Sequence, residues 1–431
     1  MEGRSRSVRV TGIFGQLTPS SQLTAMFGTA RRISMLSGSA AILIRTFHKS
    51  RCFVHQVPLA VLIVSICVYV PTGATDTPKK VGSDELIQIV AAAQNMPDAD
   101  LAQKLAGIEL TDRLSGTGLA DLTSRLPGDK SRLALMMIAD QSILLTPPAD
   151  EMPLDAAPNT ASVQQMLVNV VKYVNATNRQ LPNLMAIRFS NGFEDQPRGE
   201  KMGRTGLEST FDSPLHWVGS LKVEVTYRDR HEMEDKSVKV EKKGNGVAGL
   251  ITSGEFGPIL SIVLADASKS NKLAWTRWEK GSDGTMAVFH YQVPEDKSNY
   301  HVKSCCILEG YNTDGTPRTQ ISDVRSAYHG DIVFRPADGS IRLLTMEADA
   351  PAGALVPVAA IAVEYAATDI GGRSYTCPAR SVSIQRVHNA DQSGAISGSY
   401  YKGPVKTFLN DVRFSNYRRF GTETKVLTNL P

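Results

Sequence analysis

The hydrophobic pattern changes its period near Leu184, and this change constrains the fold more than any other feature of the chain. Before it, apolar residues recur at helical spacing; after it, apolar and polar residues alternate as in β-strands. Val223, Val225 and Tyr227, for example, alternate with polar neighbours, which predicts a strand with one dry and one wet face. The same alternation occurs in TMAVFHYQV, DIVFRP, IRLLTM, AAIAVEYAA, SVSIQRV and FLNDVRFSNY.

Glycine-rich turn signals separate these segments, which predicts antiparallel strands joined by hairpins. Asp338-Gly339 is the clearest signal, because glycine supplies the positive φ that a tight hairpin turn needs. The other signals of this kind are Asp314-Gly315, Gly371-Gly372 and residues 281–284. One helix is predicted among the strands, over residues 256–267, where apolar residues recur at helical spacing.

Residues 75–180 have helical periodicity throughout. Ser83 and Asp98 are candidate N-caps, since each precedes a segment with an apolar stripe. Residues 131–145 are apolar enough to form a buried helix, and a last helix is predicted over residues 162–177. The prolines of residues 146–158 predict a stiff, extended connector between these two helices.

Together these patterns predict an α+β fold. An N-terminal helical region is followed by a large curved antiparallel β-sheet, half-barrel-like and packed on a helix, because curvature buries many one-sided strands around a helix or an apolar cavity. A flat sandwich is the alternative. The predicted divisions are a leader (residues 1–74), a helical region (75–180) and an antiparallel β domain (181–431).

The leader is typical of an export signal. Basic residues between positions 45 and 51 precede an uncharged apolar core at residues 58–70, and Thr72 and Ala74 supply the small side chains of a cleavage site. The core is shorter than the roughly 20 residues that span a bilayer, so no stable transmembrane anchor is expected. An uncleaved anchor is the alternative. The predicted location is the periplasm or the extracellular space, and Met1, Met26 and Met35 are alternative starts.

The distribution of charge argues against nucleic acid as a partner. The chain has 47 Lys and Arg against 43 Asp and Glu, a formal net charge of +4. Eight of the basic residues and one of the acidic residues lie in the leader, which leaves 39 basic and 42 acidic residues beyond it. A protein that binds nucleic acid needs its positive charge on the folded part.

Three cysteines lie beyond the leader: Cys305, Cys306 and Cys377. In an oxidising compartment two of them can form a disulfide. Adjacent residues of a strand point to opposite faces, so only one of Cys305 and Cys306 can reach Cys377. Cys306 is slightly favoured, and three reduced, buried thiols are the alternative.

Two segments resemble cofactor or metal motifs, but their context argues against those functions. Residues 244–249 (GNGVAG) match the dinucleotide fingerprint, with Asp266 downstream, yet no helix start follows them. A flexible β-turn is therefore predicted. Residues 231–235 (HEMED) begin like the HExxH zinc motif, but Asp235 replaces the second histidine, so the end of a surface strand is predicted.

No catalytic, cofactor-binding or metal-binding residue is assigned from the sequence. No G-x-S-x-G elbow, Walker loop or CxxC pair occurs, and the histidines beyond the leader are mostly scattered singly. Trp275 and Trp278 form the most distinctive aromatic cluster. Core packing beside the preceding helix is their predicted role, and a position at the mouth of an apolar cavity is the alternative.

Several segments of the β region resemble a family of uncharacterised exported bacterial proteins: GEFGPIL, WTRWE, AVFHYQVP, YHGDIVFRPADGSI, VEYAATDIGGRSYTCPARSVSI and FLNDVRFSNYRRF. This resemblance covers most of residues 85–430 and implies no known activity. More distantly, the spacing of strands and glycine turns in residues 185–385 is similar to the half-barrel carriers of the lipoprotein-localisation pathway. Those carriers fold a sheet over helices and hold acyl chains between them. The helical region before residue 180 departs from that pattern.

The one-sided strands and this similarity predict an exported, non-catalytic protein that binds an apolar or amphiphilic ligand under its sheet. The expected partner is an acyl chain, a lipid or a lipoprotein; no cofactor is expected, and the oligomeric state is left open. The strand residues that need apolar cover are Val223, Val225, Tyr227, Val288, Ile332, Phe334, Ile361, Val363 and Tyr365. The alternatives are an interaction or scaffold module of the cell envelope and a hydrolase with a dispersed active site.

Overall fold

The computed structural model describes most of the chain from residue 78 onward. The described residues are 78–93, 95–197, 199–203, 206–210, 213–229, 231–234, 241–244, 247–250, 255–311, 317–388 and 404–419. For those between 199 and 210 and between 303 and 322, and for residue 234, the description covers the backbone alone. The predicted leader, residues 1–74, and the turn signal Asp314-Gly315 lie outside the described residues.

Six helices are present in the described part of the chain. They are α1 (Ser83–Ala92), α2 (Asp98–Ala106), α3 (Gly116–Arg125), α4 (Asp129–Gln141), α5 (Thr160–Gln180) and α6 (Pro258–Ser270). Helices thus form most of the described residues between 83 and 180, as predicted. The helix expected to continue past Ala106 ends there, and Ile108–Leu110 is a strand. The helix predicted over residues 256–267 is also present, and it begins two residues later because Pro258 is well suited to the first turn of a helix.

Both predicted caps are wrong, because the hydrogen bonds at these positions are made with residues distant in sequence. Ser83 is the first residue of α1, and its backbone N–H donates to the Asp112 carboxylate at 3.0 Å. Asp98 begins α2 without capping it, and instead accepts hydrogen bonds from the backbone N–H groups of Lys130 and Ser131 at the start of α4. Hydrogen bonds from the Ser131 hydroxyl and N–H lower the pKa of Asp98.

The strands form one large antiparallel sheet, which lies entirely after α5, and three small pairs, of which one precedes α5. The strands are β1 (Lys79–Val81), β2 (Ile108–Leu110), β3 (Leu184–Gln196), β4 (Gly199–Gly203), β5 (Gly206–Thr210), β6 (Ser213–Arg228), β7 (His231–Glu234), β8 (Glu241–Gly244), β9 (Leu273–Gly281), β10 (Gly284–Val293), β11 (His301–Tyr311), β12 (Pro317–Arg325), β13 (Ala327–Phe334), β14 (Ile341–Asp349), β15 (Val358–Asp369), β16 (Ser374–His388) and β17 (Val405–Arg419). The three small sheets are the parallel pair β1–β2 and the hairpins β4–β5 and β11–β12.

The large sheet has 11 strands in the order β7–β6–β3–β17–β16–β15–β14–β13–β10–β9, with β8 also paired to β6. Its first and last strands do not pair with each other, so the sheet is curved but not closed. The predicted α+β fold with a curved antiparallel sheet packed on a helix is confirmed.

Helices cover the large sheet on both sides. On β10, Ala287, Phe289 and Tyr291 are buried in a cluster with α5 and α6, and we call this side the α6 face. Met286 and Val288 point the other way and are also buried, beside the residues that follow α4. We call this second side the α4 face. The prediction of one dry and one wet face is therefore wrong for β10.

The extra cover comes from the course of the helical region. Helices α1–α4 contribute to the apolar cluster of the α4 face, whereas α5 belongs to that of the α6 face. The connector of residues 146–158 joins α4 to α5 and passes β9, where the carbonyl of Ala156 accepts a hydrogen bond from Trp278 Nε1 at 3.0 Å. At the opposite end of the sheet, β6 keeps the predicted alternation of buried and partly exposed residues.

Candidate functional site

The α6 face carries a large apolar surface, which is where the predicted ligand would bind. Its buried side chains come from β10, β13, β14 and β15 together with α5 and α6. A neighbouring cluster on β3, β6 and β17 extends it. All nine strand residues predicted to need cover are buried, and eight of them belong to these two clusters. The exception is Val288, which belongs to the α4 face.

The two helices that cover this surface are buried to different extents. α6 buries seven of its 13 residues. α5 is longer but buries three of its 21 residues, Met166, Val170 and Val174. On its outer side, Val168 and Val171 are 45% and 44% exposed. α6 is therefore an integral part of the core. α5 lies across it with one line of buried side chains, beside which Val163, Leu167 and Tyr173 are partly buried.

The turn between β13 and β14 supports the middle of α5. Asn169 donates hydrogen bonds from Nδ2 to the carbonyl oxygens of Pro336 and Ala337 at 3.1 and 3.2 Å. Gly339 in the same turn has a φ of 74°, and a Cβ there would lie 2.3 Å from the carbonyl carbon of Asn169. Glycine is required here for its backbone conformation and for the close approach of the helix.

Two further polar contacts hold the second half of α5. The Tyr173 hydroxyl is hydrogen-bonded to the Thr376 hydroxyl on β16. Near the end of the helix, Asn178 Nδ2 donates to the Ser261 Oγ on α6. α5 is thus attached at three points to the sheet and to α6, and water can replace each of these hydrogen bonds if the helix moves.

Polar groups buried under α6 are satisfied by one another. The Asp266 carboxylate accepts hydrogen bonds from the Tyr328 hydroxyl at 3.1 Å and from Asn299 Nδ2 at 2.6 Å. Burial raises the pKa of the Tyr328 hydroxyl well above its ordinary value. Asp266 is the acidic residue downstream of GNGVAG, and in the structure it ties α6 to the sheet.

A small polar area interrupts the apolar surface of the α6 face on β16 and β17. Ser383 and Asn410 are each 2% exposed. The Ser383 hydroxyl donates to the carbonyl oxygen of Leu250 at 2.7 Å, and Asn410 Nδ2 donates to the carbonyl oxygens of Ala248 and Leu250 at 3.0 Å. Beside Asn410 lies a cavity of about 20 Å³, lined in part by Arg188.

A buried ion network joins the helical region to the sheet on the α4 face. Arg380 on β16 contacts Asp140 of α4, and it donates hydrogen bonds to Asp411 at 2.6 Å and to Glu364 at 3.3 Å. The side chains of Asp140 and Asp411 are fully buried. Burial and the charge of Asp411 raise the pKa of Glu364. Sequence reasoning missed this network, although Asp140 is the one acidic residue within the apolar stretch LALMMIADQSILL.

An open cleft of about 660 Å³ lies beside this network. α3 contributes small side chains to its wall, and Arg132, Arg380 and Arg413 contribute charge. Each of these arginines already contacts a carboxylate: Arg132 pairs with Asp129 at 3.3 Å and Arg413 pairs with Asp411 at 3.2 Å. Of these pairs, that of Arg380 with Asp140 joins a helix to the sheet, whereas the other two lie within α4 and within β17.

A second chain of charged groups crosses the same face at β9, β10 and β13. Arg113, which precedes α3, pairs with Glu279 on β9. Arg277 donates to Glu279 at 2.7 Å and to Asp331 at 2.9 Å, and His290 Nδ1 lies 2.8 Å from Asp331. These contacts fix the helical region at a second position on the sheet.

Trp275 and Trp278 lie on the same side of β9 because the pairing of β9 with β10 shifts its register beside Thr276. Their rings are 5.7 Å apart in an edge-to-face arrangement, and both pack against the apolar cluster of the α6 face. The predicted core packing of the two tryptophans is confirmed.

Neither motif-like segment begins a helix where it is described, and residues 247–250 form an irregular segment that is hydrogen-bonded to the sheet, where a flexible β-turn was predicted. Residues 231–234 form β7, a strand paired with β6, and His231 is exposed. Gly244 ends β8 with a φ of 62°, Gly249 has a φ of 82°, and no helix begins before Pro258 among the described residues that follow. Asp235 and residues 245–246 lie outside the described residues.

Cys377 is a free, buried thiol, so the predicted disulfide with Cys305 or Cys306 is wrong. Burial in an apolar cluster raises the pKa of the Cys377 thiol to about 12. The side chains of Cys305 and Cys306 lie outside the described residues. Cys377 is unpaired because it lies inside the core of the large sheet, whereas Cys305 and Cys306 belong to the separate β11–β12 hairpin.

The described residues contain no helix that is long and apolar enough to cross a membrane. They also contain no group of three or more His, Cys, Asp or Glu side chains arranged to hold a metal ion.

Comparison with known proteins adds little. No family model matches the chain, and no curated protein matches it. Among solved structures the chain is similar to in-vitro folded OmpT, an outer membrane protein of Vibrio cholerae, with 8% identity over 53% of this chain and 99% of the OmpT chain. The TM-score of 0.12 is too low to inform either fold or function.

Proposed function

We propose that this protein is an exported, non-catalytic binder of an amphiphilic ligand, whose acyl chain lies on the α6 face in place of α5. The observation that carries this proposal is the limited burial of α5, which covers a wide apolar surface but has only three buried side chains. A cover that buries so little can be exchanged for a ligand. The ligand is a lipid or the acylated part of a lipoprotein, and the leader pattern supports export.

The free energies of burial favour the exchange of α5 for an acyl chain. Withdrawing the three buried aliphatic or Met side chains from the core costs about 1.5–3 kcal/mol each, or about 5–9 kcal/mol. The partly buried Val163, Leu167 and Tyr173 add to this cost. Burial of an acyl chain with about 15 methylene groups contributes about 0.8 kcal/mol for each group, or about 12 kcal/mol. The entropy lost on association reduces the difference, which favours reversible binding over permanent retention.

In this proposal the structure is the closed state. The cavity beside Asn410 on the α6 face measures about 20 Å³, whereas sites for small molecules usually measure about 300–1,000 Å³. Binding therefore requires α5 to leave the sheet. The connector before α5 can follow this motion, because Leu154 and residues 155–157 are exposed. Water can replace its hydrogen bond from Trp278 Nε1 to the Ala156 carbonyl oxygen.

Ligand recovery and a chain-length series test the proposal. Organic extraction of the purified mature protein, followed by mass spectrometry, is expected to recover an acylated molecule. The uncharged fluorescent probe N-phenyl-1-naphthylamine is expected to bind, and fatty acids are expected to displace it about fourfold more strongly for each added methylene. Recovery of no acylated molecule, together with no binding of the probe, would contradict the proposal.

The two alternatives from the sequence, an envelope scaffold module and a hydrolase with a dispersed site, stay predictions. In the described part of the chain, the charged networks are engaged between the helical region and the sheet. This arrangement supports a structural role for them and gives no separate support to a hydrolase.

A further inference from the structure

We infer that residues 247–250 occupy a headgroup site, in which Ser383 and Asn410 bind the ester of an acyl-ester amphiphile. This inference rests on the proposed function and deepens it, since it names the polar part of the ligand and the side chains that recognise it. It also assigns a role to residues 247–249, the described end of the GNGVAG segment.

The hydrogen bonds of this area point to a ligand that presents carbonyl oxygens. Two almost completely buried donors, the Ser383 hydroxyl and Asn410 Nδ2, are placed on neighbouring strands under the apolar cover. Their acceptors are the carbonyl oxygens of Ala248 and Leu250, at 2.7–3.0 Å. Ester carbonyl oxygens accept hydrogen bonds as peptide carbonyl oxygens do, so an ester can take the same positions.

Leu250 imitates both parts of such a ligand. Its carbonyl oxygen lies on the two polar donors, whereas its side chain is 4% exposed and belongs to the apolar cluster that includes α5 and α6. The polar area therefore adjoins the surface proposed for the acyl chain. A single molecule with a carbonyl next to a hydrocarbon chain can bind to both.

The site also offers an acceptor for a hydroxyl group. Asn410 Oδ1 is buried and has no hydrogen-bond partner among the described residues, and Asn410 lines the cavity of about 20 Å³. That volume holds about one water-sized group. Arg188 also lines the cavity, but it pairs with Glu232 at 3.5 Å, which balances its charge. A neutral headgroup with an ester and a hydroxyl, as in a monoacylglycerol, fits this chemistry better than a free anion.

Gly249 makes the segment easy to displace by design. It has a φ of 82°, and a Cβ there would lie 2.4 Å from the Cβ of Phe408 on β17. A side chain at this position is strained in its backbone and collides with the sheet, so Gly249→Ala is expected to weaken the hold of residues 247–250 without altering Ser383 or Asn410.

Displacement of N-phenyl-1-naphthylamine from the mature protein tests the inference, with monopalmitoylglycerol and hexadecane as competitors of equal chain length. For the double variant Ser383→Ala, Asn410→Leu, about tenfold more monopalmitoylglycerol is expected to be required to displace the probe, since two hydrogen bonds are lost. The amount of hexadecane required is expected to be unchanged. Gly249→Ala is expected to need several-fold less monopalmitoylglycerol. Ser270→Ala, at another buried serine, is the matched control. It is expected to leave displacement of the probe by both competitors unchanged.

The two competitors separate the possible failures. Equal changes for monopalmitoylglycerol and hexadecane, or no change in either variant, would overturn the headgroup site and leave the proposed function intact. Failure of both competitors to displace the probe from the unchanged protein would overturn the proposed function, and the headgroup site with it. A double variant that still releases the probe to hexadecane is folded, so loss of structure cannot imitate the expected result.

Discussion

The α4 face and the α6 face belong to the same sheet, but different contacts hold their covers in place. On the α4 face, Arg380 joins α4 to two strands through the fully buried carboxylates of Asp140 and Asp411. On the α6 face, α5 is held by three buried apolar side chains and a few hydrogen bonds that water can replace. Both covers exclude water from the sheet.

The difference indicates which cover can move. Separation of the α4 face would leave buried charges without partners, and this costs several kcal/mol for each charge. Separation of α5 exposes hydrocarbon, and an acyl chain can supply equivalent hydrocarbon in return. Directional ionic contacts therefore fix one cover, whereas non-directional apolar contacts leave the other exchangeable. The following predictions test this contrast.

Removal of the Arg380 charge is expected to have the largest effect. Arg380→Met leaves Asp140 and Asp411 buried without their cation, so the free energy of unfolding in urea is expected to fall by about 3–5 kcal/mol. Arg386→Met, at an exposed position near the end of the same strand, is expected to change it by less than about 0.5 kcal/mol. Equal effects of the two variants would show that the ion network does not hold the α4 cover.

A side chain at Gly339 is expected to loosen the other cover. Gly339→Ala adds a Cβ that collides with Asn169, so it is expected to lower the free energy of unfolding by about 1–3 kcal/mol more than its control and to strengthen binding of N-phenyl-1-naphthylamine. The control, Gly372→Ala, has a similar positive φ but no neighbour within 4 Å. If Gly339→Ala weakened probe binding, α5 would not be the obstacle to the ligand.

The smallest expected effect concerns Glu364 and pH. Burial holds the pKa of Glu364 above its ordinary value of 4.5, so the folded protein retains this proton more tightly than the unfolded chain does. Stability is then lost as pH rises from 4.5 through the folded-state pKa. Glu364→Gln is expected to remove this pH-dependent loss of stability. The loss amounts to less than about 1 kcal/mol, because the Glu364 side chain is 35% exposed and screened by water. An unchanged pH dependence in urea titrations would refute this.

The sequence predicts the architecture well because period and turn chemistry are local signals. Alternation identifies β6, β10 and β13–β17, and Gly339 and Gly371 mark their turns. Prediction from the sequence fails where segments distant in the chain determine which residues are buried or which helix is capped. The strand β10 is buried on both faces because α1–α4 return over the sheet, and Asp98 caps a helix that begins 31 residues further along. No local pattern contains that information.

The candidate site is predictable in part for the same reason. All nine apolar strand residues named from the sequence are buried, because alternation reports which side chains leave water. Ser383 and Asn410 were missed, since a serine and an asparagine on amphipathic strands predict exposure unless another segment covers them. Residues 247–250 provide that cover from more than 130 positions away in sequence. The isolated acid Asp140 in an apolar helix was the one available sign of the ion network.

A reversible crosslink of α5 tests the central claim most directly. The side chains of Asn178 on α5 and Ser261 on α6 are in hydrogen-bond contact, so cysteines at these two positions face each other across the two helices. Mass spectrometry of the oxidised protein verifies that the disulfide has formed before binding is measured. The oxidised Asn178→Cys, Ser261→Cys protein is expected to lose binding of N-phenyl-1-naphthylamine and to regain it on reduction, whereas Asn178→Cys alone binds in both conditions. Undiminished binding by the oxidised double variant would contradict the claim that the ligand replaces α5.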